Sequence, residues 1–302
     1  MTTDTVPTFV AGPAGPGAAT TAGRRRRRLR PGRVALGAAA VVTILASVFP
    51  VYWMVRTALE PTRDLQAGSV TPWPRALTLD HFRTALAADG FWAFWRNSLF
   101  VTLGSVLVAL VVAALAAFAV ARLRWRGRGV FVLVVFAAQM APWEALLIPM
   151  YIVVRDVGML DRLVTLLVIY TVVTLPFTIL TIRGFLDAIP VELEEAARVD
   201  GCSRATAFRR IVFPLLAPGL LSTSLFGFIT AWNEFAFANT LLIKNQDSRT
   251  LPVWLSSFNN VFGTDWGATM AASTLFMLPV LLVFVVLQNR VTGGLTAGAV
   301  KG

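Results

Sequence analysis

Four stretches of this chain, Val34 to Val55, Asn97 to Ala121, Leu163 to Ile182 and Ala268 to Asn289, contain no Asp, Glu, Lys or Arg. Each has the roughly 20 apolar residues that a helix needs to cross about 30 Å of hydrocarbon. Two more, Val130 to Val154 and Ile211 to Ile243, are interrupted by one acid each, Glu144 and Glu234. In lipid every backbone N–H and C=O must be satisfied within the segment, so such runs predict helices. The sequence therefore predicts an all-α integral membrane protein with six transmembrane helices at 34–55, 97–121, 130–154, 163–182, 211–243 and 268–289. An even number of spans puts both termini on one side.

The basic residues choose that side. With the N-terminus inside, the inner segments hold 18 of the 27 Lys and Arg, and the outer segments hold nine. Cytoplasmic loops retain positive charge, so both termini are predicted to be cytoplasmic. This topology also accounts for the net charge of +11, which in a soluble chain would suggest nucleic acid. No nucleic-acid partner is expected. Only 14% of residues are charged, against about a quarter in soluble domains, so a soluble enzyme is not expected.

Residues 1–33 are rich in Thr, Ala, Gly and Pro and end in the run Arg24 to Arg28. They lack the apolar residues needed for a core and are expected to be a disordered basic tail. The first apolar run is longer than the 7 to 15 residues usual in a signal peptide, and no clear A-x-A site follows it. Cleavage is not expected, and a twin-arginine export signal does not fit a chain with five further spans. The Arg run beside a span also suits anionic lipid. One cysteine, Cys202, allows no internal disulfide and suits a small space-filler. One histidine, His81, allows no multi-His metal site within one chain and is expected to be a solvated loop residue.

The loop from about 184 to 214 has helix signals of its own. Pro190 suits a first helical position, Glu192, Glu194 and Glu195 lie at the positive end of the dipole, and Gly201 ends the helix. Ser203 is a candidate cap for a second helix running through Ala205, Phe208 and Ile211 to Pro214. On the first helix Leu193, Ala196 and Ala197 share a small, smooth face. That face suits close approach by another protein, or a helix lying on the membrane or packed on its own bundle.

Glu195-Ala196-Ala197, three residues, Gly201, nine residues, then Ile211-Val212-Phe213-Pro214 resembles the EAA loop (E-A-A-x3-G-x9-I-x-L-P) of ABC importer permeases, with Phe213 where Leu is commonest. From about Val34 onward the chain resembles the MalG-like subunit of carbohydrate importers of the maltose and trehalose type. The further residues that carry this are Asn97-Ser98, Trp232-Asn233-Glu234-Phe235 and the terminal Gly294-Leu295-Thr296-Ala297-Gly298-Ala299-Val300-Lys301-Gly302. The resemblance implies the type I ABC importer permease fold. It implies that Glu195, Ala196, Ala197, Gly201 and Pro214 belong to a coupling loop docking on an ATPase. The tail at 290–302, with Gly294, Gly298, Lys301 and Gly302, is implied as a second ATPase contact, although composition alone reads it as frayed. The implied partners are a MalF-like second permease, a homodimeric ABC ATPase and an extracytoplasmic sugar-binding protein. The ATP and Mg belong to the ATPase, and this chain is expected to bind no cofactor. No G-x-x-x-x-G-K-[ST] motif occurs, in keeping with a subunit that does not hydrolyse ATP.

An ionisable group inside a span is a functional hypothesis by default. Glu144 falls about 14 residues into its span, or roughly 21 Å along a continuous helix. It follows Gln139, Pro142 and Trp143, an amide and an aromatic that suit a sugar path; it equally suits pairing with the partner subunit. Asn233 and Glu234 face the same choice between the path and an interface. Asp265 and Trp266 lie in an outer loop that the resemblance directs at the binding protein, and they also suit interfacial anchoring. An ion-coupled secondary transporter is the alternative, but it calls for midplane charges in several spans and often an inverted repeat. A membrane-embedded enzyme would need His, Asp or Glu clustered at the membrane interface for catalysis, and no such cluster is expected here.

Overall fold

The structure, a computed structural model, describes residues 31–67, 71–260 and 263–299. The chain divides into two compact units, Met1–Phe49 and Pro50–Gly302. In the first, the backbone is helical from Pro31, the start of α1 (Pro31–Leu59), and the side chains from Ala35 to Phe49 are exposed. Pro31 suits a helix start, because the N–H it lacks would have no partner in the first turn. Helix thus already covers Pro31 to Arg33, the last three residues of the expected tail, and Met1 to Arg30 lie outside the described residues.

The second unit is built on α4 (Phe91–Arg122) and α7 (Leu163–Asp187), which pack along much of their length. Ser105, Ala109, Ala113 and Ala117 of α4 recur every four residues and are buried, the small-residue stripe that lets membrane helices approach closely. Facing it, Thr171, Thr174 and Thr178 of α7 return their hydroxyls to carbonyls one turn back at 2.8–2.9 Å, so no polar group is left bare. Among the described residues, five helices are long and apolar enough to cross a membrane, or six if one bent pair counts as a span. The elements are otherwise helical apart from a two-residue hairpin, Asn259–Asn260 with Gly263–Thr264.

That bent pair corrects the third expected span. Residues 130–154 are not one helix: α5 (Arg128–Met140) stops, a 3-10 turn covers Trp143–Leu146, and α6 (Leu147–Asp156) leaves at 88° to it. Pro142 is the cause. A proline disfavours helical backbone at the residue before it, and Ala141 is extended at ψ 132.

The fifth expected span, 211–243, is also interrupted. It begins earlier, as α9 (Arg204–Ala207) runs through a π turn (Phe208–Val212) into α10 (Phe213–Trp232). Pro214 has no N–H to give, and the Phe213 N–H reaches back five residues to the Phe208 carbonyl. The expected separate second loop helix is therefore the first turn of the membrane helix. After Trp232 the chain breaks, and α11 (Ala236–Leu241) follows. The last helix, α13 (Trp266–Ala299), carries the backbone of Gly294 and Gly298 onward as helix, where composition reads a frayed tail. Lys301 and Gly302 lie outside the described residues.

Candidate functional site

The first candidate region is α8 (Glu192–Val199) and the turn after it. Three backbone bonds close the helix: Asp200 N–H to Ala196 O, Gly201 N–H to Arg198 O and Cys202 N–H to Ala197 O, at 2.9–3.1 Å. Gly201 sits at φ 87, the left-handed region in which a side chain is strained, and this turns the chain towards α9. Ser203 then caps α9, its hydroxyl accepting from the Thr206 N–H at 3.2 Å.

The helix does not present Leu193, Ala196 and Ala197 on one face. Ala197 is 6% exposed and packs inward, whereas Leu193, Glu195, Ala196 and Val199 face out. Of the residues expected to dock, Glu195 and Ala196 are exposed and Ala197 lies beneath them. The physical reason is Glu194. Its carboxylate accepts from Arg122 Nε at 2.5 Å, and Arg122 also donates to the Leu186 and Ile189 carbonyls at 2.9 and 2.7 Å. This clamp fixes the roll of α8 against the ends of α4 and α7. Sequence reasoning used Arg122 only for counting topology; the available signal was an arginine ending a span opposite an acid-rich loop.

The second region lies at the breaks. Glu234 is buried, and both carboxylate oxygens are engaged: Oε1 accepts from the Phe237 N–H at 2.8 Å, and Oε2 from the Ala238 N–H at 3.1 Å and from the Tyr170 hydroxyl. A carboxylate at the first turn of α11 replaces the helix bonds lost at the break. Trp143 stacks on Phe237 with centroids 5.4 Å apart, so Trp143 and Glu234 are brought to one place. Gln139, Glu144 and Asn233 are exposed instead; Glu144 lies on the 3-10 turn and not deep in a continuous span. Tyr170, absent from the sequence reading, is the one tyrosine in a run whose other polar residues are threonines.

On the opposite loops, Asp265 caps α13 by accepting from the Ala268 N–H at 3.0 Å, and Trp266 is 60% exposed. Asn97 donates to the Asp247 and Arg249 carbonyls at 2.6 and 3.0 Å, and Ser98 accepts from the Leu251 N–H at 2.8 Å, so this pair fastens the loop before α12 (Leu251–Ser256). His81 is not the solvated residue expected. It is 5% exposed within α3 (Asp80–Ala87), where its Nε2 donates to the Glu60 carbonyl at 3.0 Å.

Comparison with known proteins places this arrangement. The chain is 54% identical over 271 residues to the diacetylchitobiose uptake system permease protein DasC of Streptomyces coelicolor, covering 90% of this chain and 98% of that one. It is 34% identical over 264 residues to the sulfoquinovosyl glycerol transport system permease protein SmoH of Agrobacterium fabrum, covering 87% and 92%. The crystal structure of a bacterial ABC transporter involved in the import of the acidic polysaccharide alginate shares the fold. It has a TM-score of 0.76 at 24% identity and covers 86% of this chain and 98% of its matched chain. Residues 99–296 match the family described as binding-protein-dependent transport system inner membrane component. This chain belongs to that family, as a multi-pass, non-enzymatic permease subunit of an ABC importer.

Proposed function

We propose that this chain forms half of the translocation path of an ATP-driven sugar importer in a bacterial cytoplasmic membrane, with both termini in the cytoplasm. The other half is a MalF-like permease, the energy comes from a homodimeric ABC ATPase that holds ATP and Mg, and an extracytoplasmic binding protein delivers the sugar. The observation that carries the coupling role is α8: a short exposed helix, bearing Glu195 and Ala196, clamped by Arg122 to the ends of two spans. A push on α8 is thereby delivered to α4 and α7. Gly201 and Pro214 set the angle at which this helix meets the membrane helix, and the tail from Gly294 to Gly302 offers a second ATPase contact.

Transport follows alternating access. ATP binding closes the ATPase dimer and moves α8, the spans rock outward to accept sugar, and hydrolysis resets them. Asp265 and Trp266 are assigned to the binding-protein side. Gln139, Trp143, Glu144 and Asn233 are assigned to the path, where an aromatic face and amide or acidic acceptors suit a sugar. Glu234 borders the path and holds the break open. Diacetylchitobiose is the first sugar to test, since the relative named for it shares 54% of aligned residues.

The test is affinity purification of the tagged chain from its native membrane in mild detergent, with mass spectrometry of what accompanies it. A second permease, a P-loop ATPase and a sugar-binding protein are expected, and Glu195→Lys is expected to lose the ATPase. A chain recovered alone, or a Glu195→Lys complex with full ATPase content and transport, overturns the reading.

A further inference from the structure

The C-terminal end of α4, the loop after it and α8 enclose a cleft of about 780 Å3 whose charges are not balanced. Arg122, Arg124, Arg198 and Arg204 line it against Glu194 and Glu195. Arg122 and Glu194 neutralise each other. Arg124, Arg198 and Arg204 take part in no ion pair among the described residues, so the cleft keeps a positive excess.

The cleft opens towards apolar surface. Trp125 lies on its wall, donates from Nε1 to the Ala119 carbonyl at 3.2 Å and meets Phe131 of α5 edge-on at 6.0 Å. Beyond Phe131, Val130, Leu133 and Val134 of α5 are more than half exposed. A tryptophan between an apolar helix face and an arginine cleft has the arrangement of a membrane–water boundary, where ring and headgroup level coincide.

We propose that this cleft binds the headgroup of an anionic phospholipid of the cytoplasmic leaflet, with Arg124 and Arg204 meeting the phosphate and the acyl chains lying along α5 beside Trp125. Basic pockets at the cytoplasmic ends of membrane helices recognise such headgroups through charge and multiple N–H donors. Because Glu195 and Arg198 share the cleft wall, an occupied site feels every movement of α8, and bilayer composition becomes an input to coupling. The proposal rests on the cytoplasmic placement of α8 given above.

The test is native mass spectrometry of the purified importer after exchange into mixed micelles holding phosphatidylglycerol or phosphatidylcholine. Phosphatidylglycerol is expected to stay bound, and Arg124→Ala/Arg204→Ala is expected to weaken its retention about thirtyfold, at about one Arg contribution per residue removed. The control Arg209→Ala/Arg210→Ala, outside the cleft, is expected to retain lipid as wild type does. Equal retention of phosphatidylcholine, no loss in the cleft variant, or displacement of the lipid by inorganic phosphate alone overturns the proposal. So does loss of the ATPase from the cleft variant with lipid retention unchanged, which gives the cleft to an acidic segment of that subunit. A chain that keeps phosphatidylglycerol but never recovers an ATPase supports the lipid site and refutes the importer reading; the converse result does the opposite.

Discussion

The guanidinium of Arg122 and the carboxylate of Glu194 meet at 2.5 Å, with the two side chains 7% and 13% exposed. Because the same guanidinium also holds the Leu186 and Ile189 carbonyls, one side chain joins α4, the end of α7 and α8. Removing one member of such a buried pair strands the other, at a cost on the order of 3 kcal/mol. Arg122→Ala and Glu194→Ala are expected to cut sugar uptake into reconstituted vesicles at least tenfold while ATP hydrolysis falls less. The exchange Arg122→Glu/Glu194→Arg is not expected to restore uptake, since a glutamate cannot donate to two carbonyls. Full recovery in the exchange variant would mean that the ion pair alone matters.

Glu234 separates a structural role from a path role. It holds two backbone N–H groups and the Tyr170 hydroxyl, and each such bond contributes about 1 kcal/mol net, more for a charged acceptor. Thermal stability in detergent should therefore fall in the order wild type, Tyr170→Phe, Glu234→Gln, Glu234→Ala, with uptake following the same order. If Glu234→Gln keeps wild-type stability yet loses uptake, the carboxylate serves the sugar directly.

These two sites show where the sequence was legible and where it was not. The apolar runs specify α1, α4, α7 and α13, because length without charge has one physical solution in lipid. The third and fifth runs are equally apolar, yet they break at Pro142 and after Trp232. Composition cannot separate a proline that bends a helix from one that ends it, and Pro176 in fact lies inside α7. The break after Trp232 is capped by Glu234 through the Phe237 and Ala238 N–H groups, and Tyr170, which adds a third bond to that carboxylate, lies 64 residues away in sequence. Similarly, the spacing around Glu195 predicts a helix, found as α8, and the Gly201 turn. Which face of that helix is free depends on Arg122, 72 residues before Glu194, and no local pattern contains it.

Gly201 offers a test of the turn that is free of packing. Nothing lies within 4 Å of a Cβ added there, so a substitution costs only its left-handed backbone, about 1 kcal/mol for most residues and more for a β-branched one. Gly201→Asn is expected to co-purify with nearly normal amounts of ATPase, and Gly201→Val with several-fold less. Equal recovery for the two variants would show that the turn's conformation does not set docking.

Gly267 and His81 make the opposite kind of test, one of space alone. A Cβ on Gly267 would fall 2.1–2.5 Å from three atoms of the His81 ring, well inside any real contact. The ring cannot retreat freely, because its Nε2 is held by the Glu60 carbonyl, and the Glu60 side chain is in turn tied to Arg56, with Nη2 to Oε1 at 2.9 Å. Gly267→Ala should therefore behave as an overpacked core and lose about 1–3 kcal/mol, read as a lower thermal midpoint. His81→Ala should also destabilise, by removing the hydrogen bond and opening space. Combined, the two are expected to cost clearly less than the sum of the single variants, because the alanine at 267 then fills room the ring has left. Strict additivity in that double-mutant cycle would mean that α3 and the start of α13 do not meet at this pair.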